Sequence, residues 1–138
     1  MQGTIRYLQH KEIDKQSWDN CIDNAPNGLI YAQSEYLDGM CTNWDGLVLD
    51  NYDAVMPLPW RRKWGLCYLY QPYFTASLGV FAETISEALV QEFIRHIPKK
   101  FIYWDIMFNE ENTFSSLSLS KSNLQVIKRN NYVLNLKE

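Results

Sequence analysis

Apolar residues recur along this chain with two periods, about three and a half residues in some stretches and two in others, and each change of period marks a new element. A short apolar strand is expected over residues 4–8. A helix follows, starting near Asp14 or Ser17, because Trp18, Cys21, Ile22 and Ala25 fall on one stripe at i, i+3, i+4 and i+7; Pro26, Asn27 and Gly28 end it. Ser34, a good N-cap, with Glu35 in the first turn, predicts a second helix that buries Tyr36, Leu37 and Met40. Three strand-like runs at 46–50, 54–62 and 66–71 are separated only by the breaks at 51–53 and 63–65, so neighbours must be antiparallel. In the second run, alternation sets Met56, Leu58 and Trp60 on one face and Val55, Pro57 and Pro59 on the other. Pro57 and Pro59 have no N–H for a ladder, which predicts an edge, a bulge or a splayed stretch there, a local opening of the sheet.

After a connection over 72–83, Thr84 and Glu87 match the capping-box spacing of a third helix. Its buried stripe is Ile85, Ala88, Leu89, Phe93 and Ile97, and Pro98 stops it; His96, in the last turn, suits the dipole. The run FIYWDIMF at 101–108 is almost wholly apolar, the pattern of a strand covered on both faces, with Tyr103 as a packed aromatic. A strand, a helix and such a strand predict a right-handed crossover to a parallel partner. Residues 109–123 read as a loop anchored by Phe114, Leu117 and Leu119, and two short strands at 124–128 and 132–136 flank Asn130 and Asn131. The expected fold class is α/β (α+β): a mixed, mostly antiparallel sheet in the order β-α-α-β-β-β-α-β-loop-β-β, with helices on both faces.

Composition narrows the picture. At 138 residues one core and one domain are expected. An apolar content of 46% with 14% aromatics excludes a disordered chain, and a net charge of -3 argues against a dedicated nucleic-acid binder. No stretch reaches the ~20 apolar residues that a membrane-crossing helix needs, and the first residues lack the basic and apolar regions of a signal peptide, so a cytoplasmic chain is expected. Cys21, Cys41 and Cys67 are odd in number and far apart, which predicts reduced thiols. His10 and His96 stand at ligand spacing from no cysteine or other histidine, so no metal site is expected.

The element order resembles that of the acyl-CoA N-acyltransferase (GNAT) superfamily over the whole chain. NGLIYAQSEYLD at 27–38, VMPLP at 55–59, YQPYF at 70–74 and the final NYVLNL look more specifically like the N-terminal half of FemAB-like proteins, bacterial transferases with two tandem domains of this kind. That family transfers amino acids from aminoacyl-tRNA to peptidoglycan precursors or makes similar amide bonds. The resemblance implies a C-terminal partner domain absent from this chain, a substrate cleft shaped between the halves, and an aminoacyl-tRNA or small-molecule substrate in the complete protein. A half of this kind would expose apolar surface, so either a homodimer or a sticky monomer is expected.

The acetyltransferases cradle the cofactor pyrophosphate on a glycine-rich loop opening the helix after the fourth strand, since a helix N-terminus favours anions. Here that connection is QPYFTASLGVFAET, in which Ser77 and Gly79 are the cofactor-binding candidates for acetyl-CoA or another acyl-CoA, and Gly79 stands alone. The tyrosine that the superfamily often uses as an acid after the fifth strand has no counterpart between Asn109 and Asn123, and no catalytic residue is assigned. Substrate-binding candidates are Trp60, Arg61, Arg62, Tyr70, Gln71 and Tyr73. The first three belong to a hairpin tip, Trp60 to Trp64, that interleaves aromatics with cations; it reads first as a solvated turn and second as a patch for phosphates or bases, widened by Lys99, Lys100, Lys128 and Arg129 if they share its face. Three readings follow: a non-catalytic half of a FemAB-like transferase, a self-sufficient acetyltransferase, and an interaction module using the Trp60–Trp64 hairpin.

Overall fold

The structure is a computed structural model, and it describes residues 3–113. The expected strands at 124–128 and 132–136, the basic residues Lys128 and Arg129, and the loop from 114 onward lie outside the described residues. Within them the order is β1 (Ile5–Leu8), a 3-10 turn (His10–Glu12), α1 (Lys15–Asn24), a 3-10 turn (Ile30–Ala32), α2 (Ser34–Met40), β2 (Asn43–Leu49), β3 (Ala54–Lys63), β4 (Leu66–Leu69), β5 (Phe81–Ala82), α3 (Glu87–Arg95) and β6 (Phe101–Trp104). The described sheet is mixed and open, running β1-β2-β3-β4-β6 with β5 on β3; among these strands β4 and β6 pair in parallel and the others antiparallel, with a further isolated parallel bridge between Leu78 and Phe108. Alternation along the central strands divides the core. Val48 and Val55 pack under α1 and α2 with Trp18, Ile22 and Leu37, whereas Leu47, Met56 and Leu58 pack on the opposite face under α3 with Leu89, Val90 and Phe93.

Two helix caps differ from expectation. Ser34 is the first residue of α2 rather than its cap; its N–H and hydroxyl both donate to the Asp19 carboxylate of α1, at 2.7 Å each, so α1 supplies the acceptor that a local cap would have given. Thr84 does not cap α3. Ser86 does, accepting from the Leu89 N–H at 3.1 Å, because the chain is still pairing with β3 at Ala82 and needs two more residues to turn. β6 also departs from its pattern: it ends at Trp104, is an outer strand of the described sheet, and leaves Ile102 and Tyr103 more than half exposed. Tyr103 is thus not packed in a strand covered on both faces.

The opening at the prolines is present, and backbone chemistry explains it. β4 pairs with β3 back from the hairpin turn, where Trp64 and Gly65 both take positive φ as a two-residue turn requires. Beyond the pair Trp60–Leu69, Tyr70 donates to the Pro59 carbonyl at 3.1 Å, and Pro59 has no N–H to return. Two steps further the same register would set Pro57 opposite Pro72, two residues with no donor between them. The ladder breaks there, residues 70–77 leave the sheet, and the chain rejoins β3 through β5 at Val55 and Ala54. Pro57 and Pro72 are both buried there, and neither has an N–H of its own for the break to orphan.

Candidate functional site

Two polar constructions interrupt this core, and the first is the repair of the broken strand. Gln71 spans the gap: its side-chain oxygen accepts from the Met107 N–H and its amide nitrogen donates to the Thr75 carbonyl, both at 3.0 Å. The segment after β6 runs alongside, with Asp105 N–H on the Leu69 carbonyl and Asn109 N–H on that of Leu78. Where β5 begins, the Asn112 amide imitates a neighbouring strand by accepting from the Val80 N–H at 2.7 Å and donating to its carbonyl at 3.0 Å. Asn27 and Asn109 add donors to the same carbonyl. Gly79 lies in this knot with φ near 101°; a Cβ there would fall 2.4 Å from Asn112 Oδ1 and 2.8 Å from a Phe108 ring carbon.

The sequence candidates of this segment therefore sit at the break in the strand. Gly79 is buried, Ser77 half-buried, and Gln71 is engaged with backbone. Tyr70 lies under the Arg61 guanidinium, 4.2 Å from its ring centre, and its hydroxyl accepts from the Thr42 N–H. Tyr73 and Phe74 project into solvent, Phe74 at a positive φ of 57° that is strained for an aromatic residue.

The second construction is a cleft of ≈ 480 Å³ at the end of the sheet where the chain leaves β1, α2 enters β2, and β3 approaches its hairpin. Trp60 and Arg62, two residues apart and so on one face of β3, contribute from the sheet, and Lys100 reaches in beside them because Phe101 pairs with Cys67, the partner of Arg62. Of the sequence candidates the cleft unites Trp60 and Arg62; Arg61 faces the other way, and Tyr70, Gln71 and Tyr73 do not line it. His10, Asp38 and Lys11 complete it, and local spacing does not single them out, since His10 and Asp38 meet only through the packing of the first 3-10 turn on α2.

The cleft's carboxylates are fully engaged. Asp38 accepts from Lys15 Nζ at 2.7 Å and Trp44 Nε1 at 2.9 Å and lies 2.8 Å from His10 Nε2. Burial pushes its carboxyl up, but these hydrogen bonds outweigh burial and hold it below the ordinary range. Asp45, almost wholly buried, accepts from the Tyr7 hydroxyl and from the His10 N–H; burial first, and then that carboxylate, drive the Tyr7 hydroxyl far above its usual value. Cys41 is buried beside the cleft, and burial pushes its thiol up to about 12 against the opposing pull of Arg61, which leaves it a poor nucleophile at neutral pH.

A second hollow of ≈ 540 Å³ lies between α1, the β2–β3 turn and residues 82–84, and the described residues that line it include Asp53 and Glu83 but no lysine or arginine. Among the described residues no group of three His, Cys, Asp or Glu side chains is arranged to hold a metal ion, and no helix is long and apolar enough to cross a membrane. Compared with models of protein families, with curated proteins and with solved structures, the chain matches none of them.

Proposed function

We propose that this chain is an acyltransferase-like domain, the first half of a FemAB-like aminoacyl or acyl transferase, that helps shape a substrate cleft and is not catalytic by itself. One observation carries the reading: in an otherwise antiparallel sheet, β4 leads through an interrupted segment and α3 to a parallel neighbour, β6, after two helices and a meander. That is the element order by which the chain resembles the acyltransferase superfamily. Two features favour a half over a complete enzyme. The segment in the place of the phosphate loop has its single glycine turned into a knot of asparagines, and the thiol nearest the cleft is held protonated. In this reading the Trp60 and Arg62 cleft is the surface offered to the substrate.

The coding sequence tests this. Downstream of the codon for Glu138 a second domain of the same element order is expected, and the two together should transfer an acyl or aminoacyl group. A stop codon directly after Glu138 would remove the two-domain reading.

A further inference from the structure

The cleft's charge runs against that of the chain. Overall the chain carries -3, yet Lys11, Arg62 and Lys100 line one cleft, and among the described residues none of them is paired with a carboxylate. The two carboxylates beside them, Asp38 and Asp45, are already engaged by Lys15, Trp44, His10 and Tyr7. Lys100, an exposed lysine, lies against aromatic rings: its ammonium is 4.9 Å from the centre of Tyr7, 5.1 Å from Phe101 and 5.9 Å from Trp60, contacts that favour its placement beside Trp60. Trp60 adds an aromatic ring to the lining of the cleft, while its indole N–H lies below the surface and is without an acceptor among the described residues.

We infer that this cleft binds a phosphate monoester, with Lys100 and Arg62 sharing its charge and the organic portion lying against the Trp60 ring. A phosphate monoester near neutral pH carries close to two negative charges and three acceptor oxygens, enough for two cations, while Lys11 supplies a further positive charge. A carboxylate, with one charge, would leave the cleft under-neutralised. The inference rests on the cleft being the substrate-facing surface, but the binding needs neither a second domain nor any transfer reaction.

The test is a titration of the isotope-labelled chain with phenyl phosphate, followed at the Trp60 indole N–H resonance, which Trp60→Phe identifies by its disappearance. Saturable movement of that resonance is expected, with affinity falling ~10-fold in Lys100→Ala and in Arg62→Ala, the size of one lost charge-assisted contact. Lys99→Ala, outside the cleft, should bind as the parent does. Benzoate should bind ~10-fold more weakly than the phosphate ester, for want of the second charge. No saturable shift with phenyl phosphate, equal affinity for benzoate, or unchanged binding in the two cleft variants would each overturn the inference. Binding by a chain whose gene stops after Glu138 would spare this site and remove the two-domain reading; no binding by a chain with an active second half would do the reverse.

Discussion

Single atoms decide the fate of the broken strand. Gly79→Ala would force a Cβ into Asn112 Oδ1 at a backbone angle that side chains rarely adopt, so a loss of ~2 kcal/mol or more is expected from urea denaturation. Asn112→Ala removes the amide that pairs with both polar groups of Val80 and should cost about 1–3 kcal/mol by the same measurement. A Gly79→Ala variant as stable as the parent would mean that the knot is looser than its distances. In the cleft, the signature residue is Asp38. Its carboxyl lies below the ordinary range in the folded chain, so its contribution is fully present above the unfolded value and is lost as the pH falls through the folded one. Asp38→Asn should therefore lower the urea midpoint at neutral pH, and the gap to the parent should close as the solution is acidified through the carboxylate range. A gap that stays constant with pH would assign the effect to packing rather than to the charge held by Lys15, Trp44 and His10.

Among the elements, α2 depends on its neighbour. Because Asp19 of α1 accepts both Ser34 hydrogen bonds, Asp19→Ala should destabilise the chain by about 1 kcal/mol, as loss of a local cap would, with α2 amides losing protection first in hydrogen exchange. Uniform protection loss across the sheet would contradict that placement. The sequence identifies Ser34 as a capping residue and cannot show that its partner stands on another helix. The meander, by contrast, is legible residue by residue: Met56 and Leu58 fall on one face and Val55 on the other, and Pro57 with Pro59 mark where the sheet opens. What is not legible there is the rejoining at β5, because it depends on a register, set only by the hairpin turn, that would bring Pro72 opposite Pro57 if the ladder continued. β6 departs from its sequence pattern for a related reason. An apolar run predicts burial on both faces only when neighbours cover it, and Ile102 and Tyr103 have none among the described residues that does so. Of the cleft, Trp60 and Arg62 were visible as a hairpin tip and Lys100 as an extension of it; His10 and Asp38 carried no local signal, since their meeting is wholly tertiary.

At the scale of the molecule, Trp64, Leu66, Ile102 and Tyr103 leave large apolar side chains exposed along β4, β6 and the turn before β4. Such surface favours association, so light scattering coupled to size exclusion should find a dimer or a concentration-dependent mass. A constant monomer mass across a hundredfold dilution would count against it. The proposed reading, a half of an acyltransferase that does not hold an acyl-CoA by itself, belongs to the same scale. Gly79 faces inward to Asn112, and the cations lie at the other construction, beside Trp60. Calorimetric titration of acetyl-dephospho-CoA, which keeps the pyrophosphate and the acyl thioester but lacks the 3′-phosphate monoester that the Trp60 cleft would take, into the purified chain is the decisive measurement. No heat of binding is predicted up to high micromolar cofactor, whereas a saturable, stoichiometric heat would contradict the proposal that the chain holds no acyl-CoA by itself.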